Sequence, residues 1–147
     1  MPWRVDRLAA RGVAVSIGHS AATLEEARAG YRAGGRSTTH LFNAMTGVDH
    51  RAPGVAVAAL TDDAVYVELI ADFHHVHPAL WPIITRTKPP DRLLLVSDVL
   101  PFAGMGDGRT AIGGLEVEVR DGRATLAGTS TLAGSVIALD TAVRDLA

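Results

Sequence analysis

The chain has 147 residues with a formal net charge of −2, 48% of them hydrophobic and 20% charged, the make-up of a soluble globular protein with a core of single-domain size. It contains no cysteine, which excludes disulfides and thiolate metal sites and leaves His, Asp or Glu to hold any metal. No basic run marks a nucleic-acid partner, no apolar run of about 18 residues marks a membrane span, and residues 1–20 lack the apolar core of a signal peptide, so the reading is cytoplasmic.

The stretch "GVAVSIGHS" is a short β-branched apolar run that empties into Gly18-His19-Ser20, which predicts a buried strand followed by a polar loop. In "TLEEARAGYRAGG", Thr23 stands three residues before Glu26 as a capping box and Gly34-Gly35 provides a stop, predicting a helix. A second strand is predicted near Ser37–Thr39, followed by a loop through "TGVDHRAPG" and a short helix in "GVAVAAL". "AVYVELIAD" predicts a third strand, "HPALWPIITR" a helix interrupted near Pro82, and "RLLLVSDV" a fourth strand. The strand starts near Val13, Ser37, Val65 and Leu93 are spaced by roughly 24 to 28 residues, the size of a βα repeat.

Beyond Pro101 the sequence turns glycine-rich, and "LEVEVRDGRATL" predicts a hairpin across Asp121-Gly122. "AGSVIALDTAVRDLA" predicts a closing amphipathic helix carrying Val136, Leu139, Val143 and Leu146 at helical spacing. The expected organisation is one α/β domain over 1–147: βα units in 1–100, a Gly-rich β or lid segment in 101–132, and a C-terminal helix in 133–147. Four parallel strands with intervening helices fit either a small open sheet or half of a (βα)8 barrel. A half barrel leaves two strand edges that a soluble protein covers by pairing, swapping or oligomerising.

Each predicted strand ends in polar chemistry: His19, His40, the Asp72–His75 run, and Asp98. In barrel folds, side chains just past the C-terminal strand ends converge on one site, which gives this series more weight than any local cluster. Asp98, beside Val96 and Val99, is a carboxylate whose burial would be costly without a partner or a cation. The crowded "DFHHVH" is weaker than it looks. On an extended segment His75 and His77 point one way and His74 the other, and Pro78 is placed to start a helix, so His74 and His77 read as bystanders.

Taken together, "GHSAATLEEA", "THLFNAMTGVDHRAPG", "IADFHHVH", "LLLVSDVLPFAG" and "LAGTSTLAGS" resemble the C-terminal half of the N-acetylglucosamine-6-phosphate deacetylase family of the amidohydrolase superfamily, in register from about Val13 to Leu146. The resemblance implies a partial (βα)8 barrel of about four βα units, with a small β-hairpin appendage and a C-terminal helix. It implies metal-dependent removal of acetate from N-acetylglucosamine 6-phosphate. His19 and His40 match the histidine ligands of a divalent metal, zinc or iron, whose further glutamate ligand comes in the family from an earlier strand that this chain does not carry. Asp98 matches the general acid/base, and His75 the imidazole that contacts the substrate and polarises the acetyl carbonyl. Asn43, Ala44 and Arg51 match sugar-phosphate-binding positions, the arginine crossing a dimer interface in the family, and Leu132 lies in the loop that closes over the acetyl group. Phe73 and His74 stand where the family usually has a glycine and a small apolar residue.

The expected partners are an amino-sugar phosphate and a second chain, either another copy in a dimer or the missing N-terminal half, with no nucleic acid and no membrane. Two alternatives are carried forward: a dihydroorotase-like hydrolase of cyclic amides, and a catalytically silent sugar-phosphate binding or assembly module.

Overall fold

Strands β1 (Val15–Ile17), β2 (Gly35–Thr38), β3 (Tyr66–Leu69) and β4 (Leu93–Leu95) form one sheet in the order β1-β2-β3-β4, with β1/β2 and β2/β3 parallel. The structure is a computed structural model that describes residues 2–146. Helix α1 (Pro2–Ala9) precedes the sheet, and α2 (Leu24–Arg32), α3 (Val55–Leu60) and α4 (Trp81–Thr87) each connect one strand to the next. The predicted βα alternation is therefore present, and α1 is an element the sequence reading did not anticipate.

Helix α2 starts where the capping box requires it. The Thr23 hydroxyl accepts from the Glu26 backbone N–H at 3.3 Å, and the Glu26 carboxylate accepts from the Thr23 backbone N–H at 2.9 Å. The hydrogen bonds from Thr23 hold the Glu26 carboxyl below the usual carboxylate range. The helix buries Ala27, Gly30 and Tyr31. A Cβ on Gly30 would lie 2.8 Å from Ile17 Cδ1, so glycine lets the helix approach β1 closely. The Tyr31 and Thr38 hydroxyls share a buried hydrogen bond, which ties α2 to β2.

Strand β3 alternates, with Val67 and Leu69 fully buried and Tyr66 and Glu68 partly exposed on the opposite face. Helix α3 is apolar and buried at all but one position, Val57, and its C-terminal carbonyls would be orphaned without a donor. Lys88 supplies it, with Nζ donating to the carbonyls of Ala59 at 3.2 Å and Asp62 at 2.6 Å. Burial lowers the pKa of this ammonium, and the nearby Asp62 and Asp63 carboxylates oppose that shift. Pro82 does not interrupt a helix as expected. A 3-10 turn over Pro78–Leu80 leads into α4 at Trp81, which places Pro82 in the first turn, where a missing N–H costs nothing.

The chain divides into two compact units, one comprising residues up to Leu69 together with Pro78–Leu94, the other Ile70–His77 together with the residues from Leu95 onward. The second unit holds β5 (Gly108–Ile112), β6 (Leu115–Arg120), β7 (Arg123–Leu126) and β8 (Leu132–Gly134) as an antiparallel sheet in chain order, followed by α5 (Leu139–Leu146). The β6/β7 hairpin turns at Asp121 (φ 50°) and Gly122 (φ 74°), the paired positive angles favoured in two-residue hairpin loops. Val117, Val119 and Ala124 form the core, with Leu100, Phe102, Leu126, Ala133 and Val136 packed on it.

Two expectations need correction here. The glycine-rich segment is a four-stranded sheet rather than a hairpin appendage, and the C-terminal helix begins at Leu139 rather than at residue 133. Leu132 and Gly134 pair with Thr125 and Ala124 of β7, so tertiary pairing overrides the helical spacing at the start of that segment. Within α5 the fully buried residue is Ala142, whereas Leu139 and Val143 are 48% and 52% exposed. Among the described residues no helix is long and apolar enough to cross a membrane.

Replacing Lys88 with Met keeps the stem's bulk but removes the ammonium from the Ala59 carbonyl at the end of α3 and from the Asp62 carbonyl beyond it, which keeps the Val65 N–H as its remaining donor. Lys88→Met is expected to lower the unfolding free energy by about 1–3 kcal/mol, read as a lower urea midpoint at unchanged slope.

Candidate functional site

Every strand of the parallel sheet is followed within four residues by a non-glycine residue of positive φ: His19 (44°), His40 (28°), Phe73 (62°) and Asp98 (48°). Left-handed backbone costs a side-chain-bearing residue about 1–2 kcal/mol and persists where the surroundings enforce it, a pattern that gathers at functional loops.

At the first two strand ends the enforcement is visible. The Thr39 backbone N–H donates to the Ile17 carbonyl at 3.1 Å, which joins the residue before His40 to the end of β1. Glu68, on β3, accepts at Oε2 from the Thr39 hydroxyl (2.8 Å) and the His40 backbone N–H (3.3 Å), and its carbonyl accepts from the Leu41 N–H at 2.7 Å. The outcome is that His19 Nε2 and His40 Nε2 face each other at 2.9 Å, with the rings edge-on at 75° and centroids 4.7 Å apart. His40 Nδ1 is buried and has no hydrogen-bond partner.

Two convergent imidazole nitrogens suit a divalent cation. On a tetrahedral zinc with Zn–N of about 2.0–2.1 Å the two nitrogens would stand about 3.3 Å apart, a few tenths of an ångström wider than here. The residues present thus fit as two ligands of a cation site. Among the described residues no group of three His, Asp or Glu side chains is placed to hold a metal.

The loop after His40 is built from backbone satisfaction. The Asn43 side-chain amide donates to the carbonyls of His40 and Leu41, both at 3.1 Å, which leaves its Oδ1 as the remaining polar atom. Ala44, at φ 48°, accepts from the Ser20 N–H at 3.0 Å, beside His19. The Thr46 hydroxyl donates to the Ala22 carbonyl at 2.6 Å and accepts from the Val55 N–H at 2.9 Å. Arg51 is exposed, and its backbone is held by Asp49, whose Oδ1 accepts from the N–H groups of Arg51 and Ala52 at 2.8 Å each. Those two bonds lower the Asp49 pKa.

In the second unit the "DFHH" run is a turn, not an extended segment, so the alternation expected of its histidines does not apply. Asp72 Oδ1 accepts from the backbone N–H groups of His74 (2.9 Å) and His75 (2.8 Å), and Oδ2 accepts from His75 Nδ1 at 2.6 Å. His75 and Asp72 side chains are 4% and 6% exposed, whereas His74 and His77 are exposed residues. Phe73 takes the left-handed position of the turn, which explains why a glycine would suit it.

Asp98 is exposed, not the buried carboxylate its apolar neighbours suggest. Its loop is held by buried Ser135, whose N–H donates to the Asp98 carbonyl at 2.9 Å, whose hydroxyl donates to the Ser97 carbonyl, and whose carbonyl accepts from the Leu100 N–H at 2.9 Å. Leu132, expected in a closing loop, is instead a half-buried member of β8. Sequence reasoning missed Glu68, Asp72 and Ser135 as supports. Of these, Asp72 and Ser135 stood within motifs it had singled out, "IADFHHVH" and "LAGTSTLAGS", and Glu68 did not.

No family model matches the chain. Among curated proteins it is 42% identical over 142 residues to the N-acetylgalactosamine-6-phosphate deacetylase of Escherichia coli O157:H7, a match covering 97% of this chain and 37% of that one. It is 43% identical over 143 residues to the N-acetylglucosamine-6-phosphate deacetylase of Homo sapiens, covering 93% of this chain and 34% of that one. Among solved structures, a variant of the N-acetyl-D-glucosamine-6-phosphate deacetylase from Mycobacterium smegmatis in complex with N-acetyl-D-glucosamine-6-phosphate matches with a TM-score of 0.94 and 41% identity, over 97% of this chain and 38% of that one. The N-acetylglucosamine-6-phosphate deacetylase from Thermotoga maritima matches with a TM-score of 0.91 and 35% identity, over 98% of this chain and 39% of that one. The chain is thus similar to these deacetylases along nearly its whole length and spans a little over a third of theirs.

The Asp72 turn has an acid signature. Burial pushes this carboxyl up, but the hydrogen bonds from the His75 ring and from the His75 and His74 backbone, together with the His75 charge, outweigh burial and lower its pKa. A carboxyl lowered on folding stabilises above its ordinary range and loses that contribution as the pH falls through the lowered value. Wild type is expected to exceed Asp72→Asn in urea midpoint at neutral pH and to lose that margin in strongly acid solution.

Proposed function

We propose, from its kinship to one portion of the N-acetylglucosamine-6-phosphate deacetylases, that this chain is the metal- and sugar-phosphate-binding part of such an enzyme. The reaction is hydrolysis of the N-acetyl group of N-acetylglucosamine 6-phosphate to glucosamine 6-phosphate and acetate. The observation that carries this reading is the pair of Nε2 atoms of His19 and His40, facing each other at 2.9 Å from the ends of adjacent parallel strands. In this reading the four-stranded sheet and its helices are an arc of about four βα units of a (βα)8 barrel, whose C-terminal strand ends carry the chemistry.

His19 and His40 are the residues that would hold a divalent cation, zinc or iron, with a glutamate from outside this stretch as the further ligand. When bound, such a cation supplies Lewis acidity and makes water nucleophilic near neutral pH. Asp98 takes the proton of the attacking water and returns it to the leaving amine. His75 contacts the acetyl group. Asn43, through the oxygen its loop bonds leave available, and Ala44 bind the sugar phosphate. Arg51, with a guanidinium fork suited to a phosphate dianion, pairs with the 6-phosphate. Leu132 lines the acetyl pocket. The strands that complete the barrel come from another chain or another stretch, and a dimer supplies Arg51 across its interface. The relatives' names do not favour a cyclic-amide hydrolase.

Two measurements test this reading. Equilibrium dialysis with zinc is expected to show uptake by the chain that His19→Ala and His40→Ala each abolish; uptake unchanged in both variants removes the ligand assignment. Acetate release from N-acetylglucosamine 6-phosphate and its galactosamine epimer, with zinc or iron supplied, is expected to fall by about 10²–10⁴-fold in Asp98→Asn. Arg51→Ala should raise KM for either sugar phosphate, and unchanged affinity would remove the phosphate role.

A further inference from the structure

The strongest unassigned arrangement in the chain is the pair formed by Asp72 and His75. Both side chains are more than nine-tenths buried, and the carboxylate has no rotational freedom left. Oδ1 is fixed by the backbone N–H groups of His74 and His75, which aims Oδ2 at His75 Nδ1 at 2.6 Å. The turn that permits this runs through Phe73 at φ 62°, a strained conformation retained for a side chain that does not itself need it. Strain, three hydrogen bonds and burial all serve the orientation of one imidazole.

The chemistry of the partner then fixes the proton. An ionised carboxylate only accepts hydrogen bonds, and its existing donors are two backbone N–H groups and the ring. The atom facing Oδ2 must therefore be Nδ1–H. In the neutral ring the lone pair sits on Nε2, and Nε2 can donate only when the ring takes a second proton, whose charge Asp72 would balance. His40 is the contrasting case, since its Nδ1 has no partner and nothing on that side chooses its tautomer.

We propose that Asp72 is a positioning residue that holds His75 as the Nδ1–H tautomer, so that Nε2 is the atom that accepts a hydrogen bond or a proton from an amide substrate. The substrate-facing role rests on the deacetylase reading, while the tautomer does not. The consequence for the acetyl carbonyl is specific: His75 polarises it as an imidazolium or not at all, because the neutral ring presents an acceptor to another acceptor.

The test reads the ring directly. In chain labelled with ¹⁵N-histidine, two-bond ¹H–¹⁵N correlations distinguish the Nδ1–H ring, the Nε2–H ring and the imidazolium, and His75→Gln identifies the His75 pattern. The expected result at mildly alkaline pH is Nδ1–H for His75. In Asp72→Asn the amide oxygen stays on the two backbone N–H groups, which puts the NH2 group against Nδ1 and turns the ring over to Nε2–H. A neutral Nε2–H pattern in the wild type overturns the proposal without any variant, and a folded Asp72→Asn chain that keeps Nδ1–H overturns it as well. Absence of acetate release moves neither spectrum, so failure of the deacetylase reading is told apart from failure of this one.

Discussion

The adjacency of two strand ends rests on the absence of a side chain at Gly18. A Cβ at that position would fall 2.0 Å from Thr39 Cγ2, far inside any permitted contact. Gly18 immediately precedes His19 and Thr39 immediately precedes His40, so this contact sets how closely the two histidine-bearing turns approach. A larger residue at 18 would wedge β1 from β2 and separate the imidazoles. Glu68 completes the arrangement from β3 by accepting from the Thr39 hydroxyl and the His40 backbone. Three successive strands thus determine one interatomic distance, and the chemistry attributed to the pair depends on it.

The four left-handed residues that follow the strands extend this logic. Each costs stability that a glycine there would not, yet His19, His40 and Asp98 carry the side chains to which the proposed deacetylase reading gives roles, and Phe73 turns the chain so that Asp72 reaches His75. The supports are mostly hydrogen bonds to backbone groups: Glu68 under His40, Ser135 under Asp98, Thr46 between the loops at Ala22 and Val55. Such bonds cost little to form and much to lose, because each loss leaves a desolvated N–H or carbonyl.

Which parts of this were legible in the sequence follows from how local their causes are. Strands β1, β3 and β4 lie in short apolar runs that end in glycine or polar residues, β2 (GRST) is a polar stretch placed by its spacing, and α2 is announced by Thr23 and Glu26, so their places could be read. The Asp121-Gly122 turn is equally local. Strands β5 and β8 could not be read, because Gly108–Ile112 and Leu132–Gly134 have no apolar alternation of their own and exist by pairing with β6 and β7. The same pairing withdrew residues 133 and 134 from the helix that Val136, Leu139 and Val143 had suggested. The strand-end positions of His19, His40 and Asp98 were readable from the run-then-polar pattern. The Asp72–His75 bond was not, since it needs a positive φ at Phe73, a residue type that gives no hint of one.

Lys88 carries a last consequence. It is the sole lysine in the sequence, every other cationic side chain of the Lys/Arg class being arginine, and it is buried with its ammonium on two carbonyls. The folded chain therefore presents no side-chain amine to an acylating reagent, and the one it possesses becomes reactive only when the end of α3 opens. Acylation at this position is a clock for local opening of the first unit, a reporter of exchange that the fold supplies without any engineered label.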